Sequence, residues 1–516
     1  MCAAFPAVSG SLPGVGPGTA KSQSAWSPYV AILLAAWAVT IPATFGPVRT
    51  NDSFWIDWVW VDQFARELAN GNLYPRWLPQ SHNGLGSPVF YYYPPLAFYA
   101  ASLFALVGFS TYSAIIATFF ASFVASGVGM YRWLKPEARS PLLGALIFTI
   151  APYHAYNLYA RGALAESVAT ALLPFVMIGV RKLVLAHRGG FVVTGLAYAA
   201  LIMSHLPLAL LASLFLIGPY AVFQGWRSPK RLATIGSALA IGIALAGIYL
   251  VPAFLLEPYR DTTKLWHTAA LQPNNWSFWN SDFRGLQNYL SILVISLAIA
   301  LPLMVIAIRH RSRWALVGLV CVGLAIGAVP AVWTLPLLKS VQFPFRMLPI
   351  AEFALAAAMA TAAIRPVERT IAWMSLLATT ILITGSSNPP AVSLSELQAW
   401  HSDVPENLPP GERPYSWPSR WALKVAAAHR QPLYADGTTV MPIFQYPAWQ
   451  VRCGSSVVVP TFAEPATKLL SYEGPPNCDL KLVTTPPEKL GLAISLVAFA
   501  SLLMGYLLYP FRRPRS

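Results

Sequence analysis

Windows of about 20 apolar residues recur along this chain, and each is long enough to cross a bilayer as a helix. They fall near 27–46, 111–134, 141–157, 163–186, 191–204, 206–223, 232–256, 286–308, 313–334, 347–364, 370–386 and 490–509. Of 516 residues, 56% are hydrophobic and 11% are charged, with a mean hydropathy of +0.53. That is more apolar surface than a soluble core of this length can bury. The expected fold class is an all-α polytopic membrane protein of about twelve transmembrane helices, with interfacial helices beside them.

The net charge of +15 points to orientation in the membrane. The basic residues cluster between apolar windows, at Arg132/Lys135/Arg139, Arg181/Lys182/Arg188, Arg227/Lys230/Arg231, Arg309/Arg311/Arg313, Arg365/Arg369 and Arg512/Arg513/Arg515. Setting all six on the cytoplasmic side places both termini there. The apolar run Pro95–Phe109 disturbs this alternation. At about 15 residues it is too short for a span and is expected not to cross. No basic groove-forming domain is present, so nucleic acid is excluded as a partner. The cytoplasmic loops are short, and no glycine-rich nucleotide motif stands between a strand and a helix.

The resulting organisation is a disordered cytoplasmic N-terminus over 1–26 without a cleavable signal peptide, and a transmembrane domain over 27–386 whose first outer loop is 47–110. A small extracytoplasmic β-rich domain follows over 387–489, then a final helix and basic cytoplasmic tail over 490–516. Short β-favouring runs at Val440–Val451, Ser456–Thr461, Lys468–Tyr472 and Asp479–Thr484 support the β assignment. Cys453 and Cys478 share this segment and can pair if it lies outside the cell. Cys2 and Cys321 stand apart, and no cysteine spacing fits a zinc site.

Function is carried by polar residues at the outer rim. In the first loop, Asp57, Val61 and Phe64 share one helical face that Ala65 and Leu68 continue. This predicts an amphipathic helix lying on the membrane surface and ended by Asn70-Gly71. Trp55, Trp58, Trp60, Trp77 and Tyr91-Tyr92-Tyr93 are expected at the lipid–water boundary. Carboxylates at the edge of a bilayer are what an enzyme acting on a lipid-linked substrate needs.

In APYHAYNLYARGALAE, a helical reading puts His154, Asn157 and Arg161 on one stripe, with Gly162 free to break the helix before Glu166. One reading is a capped helix end with Glu166 paired to Arg161. The other is a second carboxylate and a cation beside the first-loop acid. Arg346 in VQFPFRML starts an outer helix, where its planar fork suits a phosphate or its stem snorkels to headgroups. Glu257, Arg260, Asp261, Lys264 and His267 read first as a solvated loop, His205 as a helix-end histidine, and Asp52 and Asp62 as solvated charges.

These residues carry a resemblance. ARELANGNLYPRW followed by a Tyr/Pro-rich segment, then PYHAYNLYARGALAE, then QFPFR, resembles the bacterial membrane proteins labelled 6-pyruvoyl-tetrahydropterin synthase-related. PIFQYPAWQVRCG resembles the outer β-domain of a multi-spanning family implicated in lipoteichoic-acid glycosylation. The label carries no pterin chemistry here, since no His-rich zinc motif is present. The layout is also similar to the GT-C glycosyltransferases, polytopic enzymes that take sugars from polyprenyl-phosphate donors. Those families place an acid in the first outer loop ahead of a Gly that ends an interfacial helix, as Asp57 precedes Gly71. Several have another acid at an outer helix start after the third span, the place of Glu166. Their paired first-loop acids are replaced here by Asp57-Trp58.

The resemblance implies an inverting glycosyltransferase of the bacterial plasma (inner) membrane with its active face extracytoplasmic. Asp57 and Glu166 would be catalytic, with Arg346, Arg161 and Arg260 on the donor phosphate. His154, Asn157, His205 and Tyr92 would line the substrate, an unspecified glycan, lipid or protein acceptor. Asp57 and Glu166 could share a divalent cation, Mg²⁺ or Mn²⁺. Two alternatives stay open: a transporter or flippase of lipid-linked glycans, and a non-catalytic assembly subunit using the β-domain.

Overall fold

Helices form where the apolar runs lie, and proline and glycine junctions decide how long each one is. The computed structural model describes residues 26–45, 53–187, 189–262, 271–280, 286–386, 403–404, 418–462 and 467–508. Among these, seven helices are long and apolar enough to cross a membrane: Ser27–Phe45, Thr111–Leu134, Leu164–Val184, Leu206–Gly225, Tyr289–His310, Pro366–Gly385 and Pro486–Tyr506. An eighth is a bent pair, Pro229–Leu245 and Gly247–Leu255, turned by 64° at the break.

Each of the twelve expected windows contains helix among the described residues, but not all are full spans. The 141–157 window yields Pro141–Thr149 and stops ahead of Pro152. Arg313–Ala325 ends before a 3₁₀ turn at Pro330–Thr334, and Gly190–Ser204 ends at His205. A proline in a helix interior removes a backbone donor and clashes with the preceding turn, so these junctions stop or kink the run. Leu96–Leu106 has 11 residues, or about 16 Å, roughly half the hydrocarbon thickness. It does not cross. Ala97, Phe98 and Ala101 face the protein while Leu103 stays 65% exposed.

The bundle is centred on Leu348–Thr361, in which every residue from Leu348 to Ala360 is buried. Its many alanines let neighbouring helices approach closely without wedges. One acid, Glu352, sits inside it.

The first loop differs from expectation in an instructive way. Its helix runs Phe54–Ala69, is capped at Asn70, and is followed by Gly71 at φ +87°. Asp57, Val61, Phe64 and Ala65 are buried together, but so are Trp58, Val59, Trp60 and Gln63. The helix therefore lies inside the protein and not on a membrane surface. Trp60 packs on Phe90, Tyr93 and Phe98, and Trp77 on Tyr446 and Trp449. Trp58, Trp77, Tyr91 and Tyr92 are also buried. Trp60 is thus covered from Leu96–Leu106 and Trp77 from the C-terminal strands, while Trp55 stays half-buried.

Among the described residues, seven short strands make two antiparallel sheets: β1 (Leu433–Ala435), β2 (Thr438–Phe444), β3 (Trp449–Cys453), β4 (Ser456–Val458), β5 (Thr461–Phe462), β6 (Leu469–Glu473) and β7 (Asp479–Leu482). Their orders are β1-β2-β6-β5 and β4-β3-β7. Cys453 and Cys478 are disulfide-bonded. The Phe444 N–H donates to the Leu85 carbonyl at 2.8 Å, docking the sheets onto the first loop.

The two ends of the bundle differ. At one, Arg181 donates to Glu137 and to the Trp133 carbonyl, Arg309 pairs with Glu368, and Arg313 lies over Phe223. The other end carries the first loop, the sheets and the charge cluster described next.

Candidate functional site

The site is built by residues 152–166. Pro152 starts a short helix, Pro152–Tyr156, which widens into a π-turn at Asn157–Arg161 and closes on Gly162 in the left-handed region at φ +66°. A side chain at Gly162 would meet Phe54, its Cβ only 2.5 Å from the Phe54 Cβ. Without one, the Ser53 N–H reaches the Arg161 carbonyl at 2.8 Å. Helix Phe54–Ala69 thereby docks against the start of Leu164–Val184. The Asp57 carboxylate accepts the Leu164 N–H at 3.2 Å, where the positive end of a helix dipole favours an anion.

Glu166, 1% exposed, lies in the first turn of the same helix. Its Oε2 accepts from Arg161 Nη1 at 2.7 Å and its Oε1 from the Tyr153 hydroxyl at 2.8 Å. Arg161 Nη1 also donates to Asn157 Oδ1 at 2.9 Å and to the Tyr153 hydroxyl at 3.0 Å. A second cation approaches from the start of the central helix. Arg346 Nε is 3.6 Å from Glu166 Oε2, and its Nη1 donates to the Val341 carbonyl at 2.6 Å. Burial pulls this guanidinium below its usual range, opposed by Glu166. His205 Nδ1 accepts the Leu208 N–H at 3.2 Å, capping the next helix. It lies within electrostatic reach of Arg346, Glu166 and Arg161. Tyr93 feels Asp57, Arg346, Glu166 and Arg161 together; burial and then the Asp57 charge push its hydroxyl above its usual range.

Of the residues singled out by sequence, the structure gathers Asp57, Asn157, Arg161, Glu166, His205 and Arg346 into this cluster. The Arg161–Glu166 pair of the plain capped-end reading is therefore present, with Arg346 and Asp57 added to it. Arg346 does not snorkel: it is 8% exposed. Three other residues lie elsewhere. His154 turns to Glu352, its Nδ1 3.0 Å from Oε2. Tyr92 donates to the Leu256 carbonyl at 2.8 Å and accepts from Tyr446, bracing the sheets against the bundle. Arg260 stacks over the Tyr92 ring, 4.8 Å from its centroid, and touches none of the cluster acids. Asp62 is held by Arg66 at 2.7 Å and by Thr111. Asp52, Lys264 and His267 lie outside the described residues.

Sequence reasoning passed over Tyr93, Tyr153 and Glu352. Only Glu352 carried a signal, as a lone acid in an apolar helix. The carboxylates do not suit a shared divalent cation. Both Glu166 oxygens are taken by Tyr153 and Arg161, with Arg346 behind, so a metal there would face two guanidinium groups instead of open oxygens. Among the described residues no group of three His, Cys, Asp or Glu converges.

Residues 90–391 match the family described as "6-pyruvoyl-tetrahydropterin synthase related domain; membrane protein". No curated protein is detectably similar in sequence. Among solved structures, arabinofuranosyltransferase AftD from Mycobacteria is similar at 16% identity and a TM-score of 0.45 over 71% of this chain, which spans 27% of that protein's length. ArnT from Cupriavidus metallidurans bound to undecaprenyl phosphate is similar at 15% identity and a TM-score of 0.44, covering 70% of this chain and 64% of that one. Its apo form gives 14% identity and a TM-score of 0.44, covering 78% and 70%.

Proposed function

Because the chain belongs to the 6-pyruvoyl-tetrahydropterin synthase-related family of membrane proteins, its chemistry is to be sought at a bilayer, and we propose that it is a membrane glycosyltransferase. The donor is a sugar on a polyprenyl phosphate, and the acceptor is an extracytoplasmic hydroxyl of a glycan, lipid or protein. The observation that carries this reading is that Asp57, from the first loop, reaches the Leu164 N–H at the start of the helix whose Glu166 pairs with Arg161 and Arg346. Acid, phosphate-binding cation and buried surroundings are what transfer from a lipid-linked donor requires.

In this reading the acceptor oxygen attacks the anomeric carbon while the bond from that carbon to the phosphate oxygen breaks. The electron pair leaves with the lipid phosphate, and Asp57 takes the acceptor's proton as general base. Attack opposite the leaving group inverts the anomeric centre. Arg161 already serves Glu166, Asn157 and Tyr153 through Nη1, so the developing phosphate charge falls chiefly to Arg346. Glu166 holds both guanidinium groups in place.

The site would face the outside of the plasma membrane with both termini inside. Support comes from the disulfide-bonded sheets on the site's side and from the basic residues at the opposite end. Transporters use broken helices to line a passage. The bent pair here has its freed groups filled instead: the Ser495 hydroxyl accepts the Ile248 N–H at 2.8 Å, and Arg76 donates to the Ile248 carbonyl at 2.8 Å. That favours the transferase over the flippase reading.

The test is sugar transfer from a radiolabelled polyprenyl-phosphate sugar by the purified protein in lipid vesicles, against Asp57→Asn. The variant keeps an oxygen for the Leu164 N–H, so it should fold, and turnover should fall by about 10²–10⁴-fold. Wild-type turnover in that variant would refute Asp57 as the base, and label crossing the bilayer without covalent transfer would refute the enzyme.

A further inference from the structure

Glu352 lies within the central helix, 1% exposed, where every neighbour in sequence is apolar. An acid is costly to place at membrane depth and needs a partner there. Its two oxygens have different partners. Oε1 accepts the Tyr153 N–H at 2.6 Å, and Oε2 lies 3.0 Å from His154 Nδ1. Tyr153 follows Pro152 in the first turn of Pro152–Tyr156, so its N–H has no carbonyl within that helix to donate to. Glu352 satisfies it from a distant part of the chain.

Tyr153 is therefore gripped at both ends by acids from different helices. Its main chain is held by Glu352, and its hydroxyl donates to Glu166 Oε1 at 2.8 Å and accepts from Arg161 Nη1 at 3.0 Å. The His154 ring fills the other side of the same turn, between the Phe123 and Phe148 rings. A movement of Glu352 would carry the turn with it and shift the hydroxyl that fixes Glu166, and with Glu166 the spacing of Arg161 and Arg346.

We propose that Glu352 is a positioning residue for the site, acting through the Tyr153–His154 turn to set the Tyr153 hydroxyl against Glu166. This rests on the transferase reading above. Glu352 touches no reacting group; its role is the placement of the carboxylate that holds both arginines.

The test is a double-mutant cycle in the same transfer assay, using Glu352→Met, which keeps the length of the side chain but has no acceptor for the Tyr153 N–H, Tyr153→Phe and the pair. Each single change should lower kcat by about tenfold with donor KM little altered, and the pair should be no slower than Tyr153→Phe alone, because both remove one linkage. If Glu352→Met fails to accumulate in the membrane, Glu352→Asp keeps the charge, draws it back by one methylene and completes the same cycle. Additive losses in kcat, or a Glu352 variant whose folded fraction turns over like wild type, would overturn the proposal. A wild-type protein inert toward every donor sinks the transferase reading separately. The linkage is then read from melting temperatures of the same four proteins, where independent effects of residues 153 and 352 sink the positioning role as well.

Discussion

Arg76 with Glu488, and Arg161 with Glu166, are both buried arginine–carboxylate pairs, yet they are completed in different ways. Arg76 Nε meets Glu488 Oε1 at 2.9 Å, while Glu488 Oε2 accepts the Thr485 N–H and hydroxyl at 2.7 Å each. Arg76 also donates to Ile248 and stacks on Tyr74. One cation faces one anion, and the pair ties the first loop to the last helix. The second pair carries an extra guanidinium, Arg346, and a nearby acid, Asp57, that has reached a helix start from another part of the chain. Burial of charge is common to both. What separates them is an excess of charged groups at one rim beyond what a clasp needs, and the proposed transferase gives that excess a lipid phosphate to hold.

The comparison can be broken by removing one arginine from each pair. Arg76→Ala leaves Glu488 buried without its cation, which should cost about 3–5 kcal/mol of stability. The folded fraction should transfer sugar at the wild-type rate per molecule; a per-molecule loss as deep as that of Asp57→Asn would make Arg76 part of the site. Arg346→Lys keeps the charge but loses the planar fork. It should cost about 1.5–3 kcal/mol of donor recognition, roughly 10–200-fold in kcat/KM, with little change in melting temperature. An unchanged kcat/KM would move the phosphate contact elsewhere. The smallest effect belongs to Ser495→Ala at the bent helix. Losing the hydroxyl's bonds to the Ile248 N–H and the Leu245 carbonyl should lower stability by about 1–2 kcal/mol and leave transfer intact, as read by thermal unfolding in detergent and by the same assay.

Much of the fold was legible because hydrocarbon imposes a length: apolar windows announced the helices, and Asn70-Gly71 announced the end of the first loop helix. What window averaging hides is where a run is cut. Pro152 divides one window into two short helices, and a hydropathy average cannot see that. The same averaging concealed Glu352, one acid among alanines. The loop aromatics were misplaced for another reason. Trp58 and Trp60 have the chemistry of an interface residue, but whether such a ring meets headgroups or protein depends on what folds over it, here Leu96–Leu106 and the strands. Among the cluster residues, Asp57, Arg161, Glu166 and Arg346 stood out as charges beside apolar runs. Arg260 had the same credentials as Arg346. Nothing local told that one stacks on Tyr92 and the other turns toward Glu166.

The break between Pro229–Leu245 and Gly247–Leu255 has a consequence for how the protein is made. The Ile248 N–H donates to the Ser495 hydroxyl, which lies 2.9 Å from the Leu245 carbonyl, so the partner arrives with the final transmembrane segment. A nascent chain that has left the ribosome only as far as the strands has inserted the two halves of that helix with their junction still open. Closure waits for the last helix to enter the bilayer and for Glu488, at its head, to find Arg76. The clasp between the first loop and helix Pro486–Leu508 therefore forms only after the strands have been made.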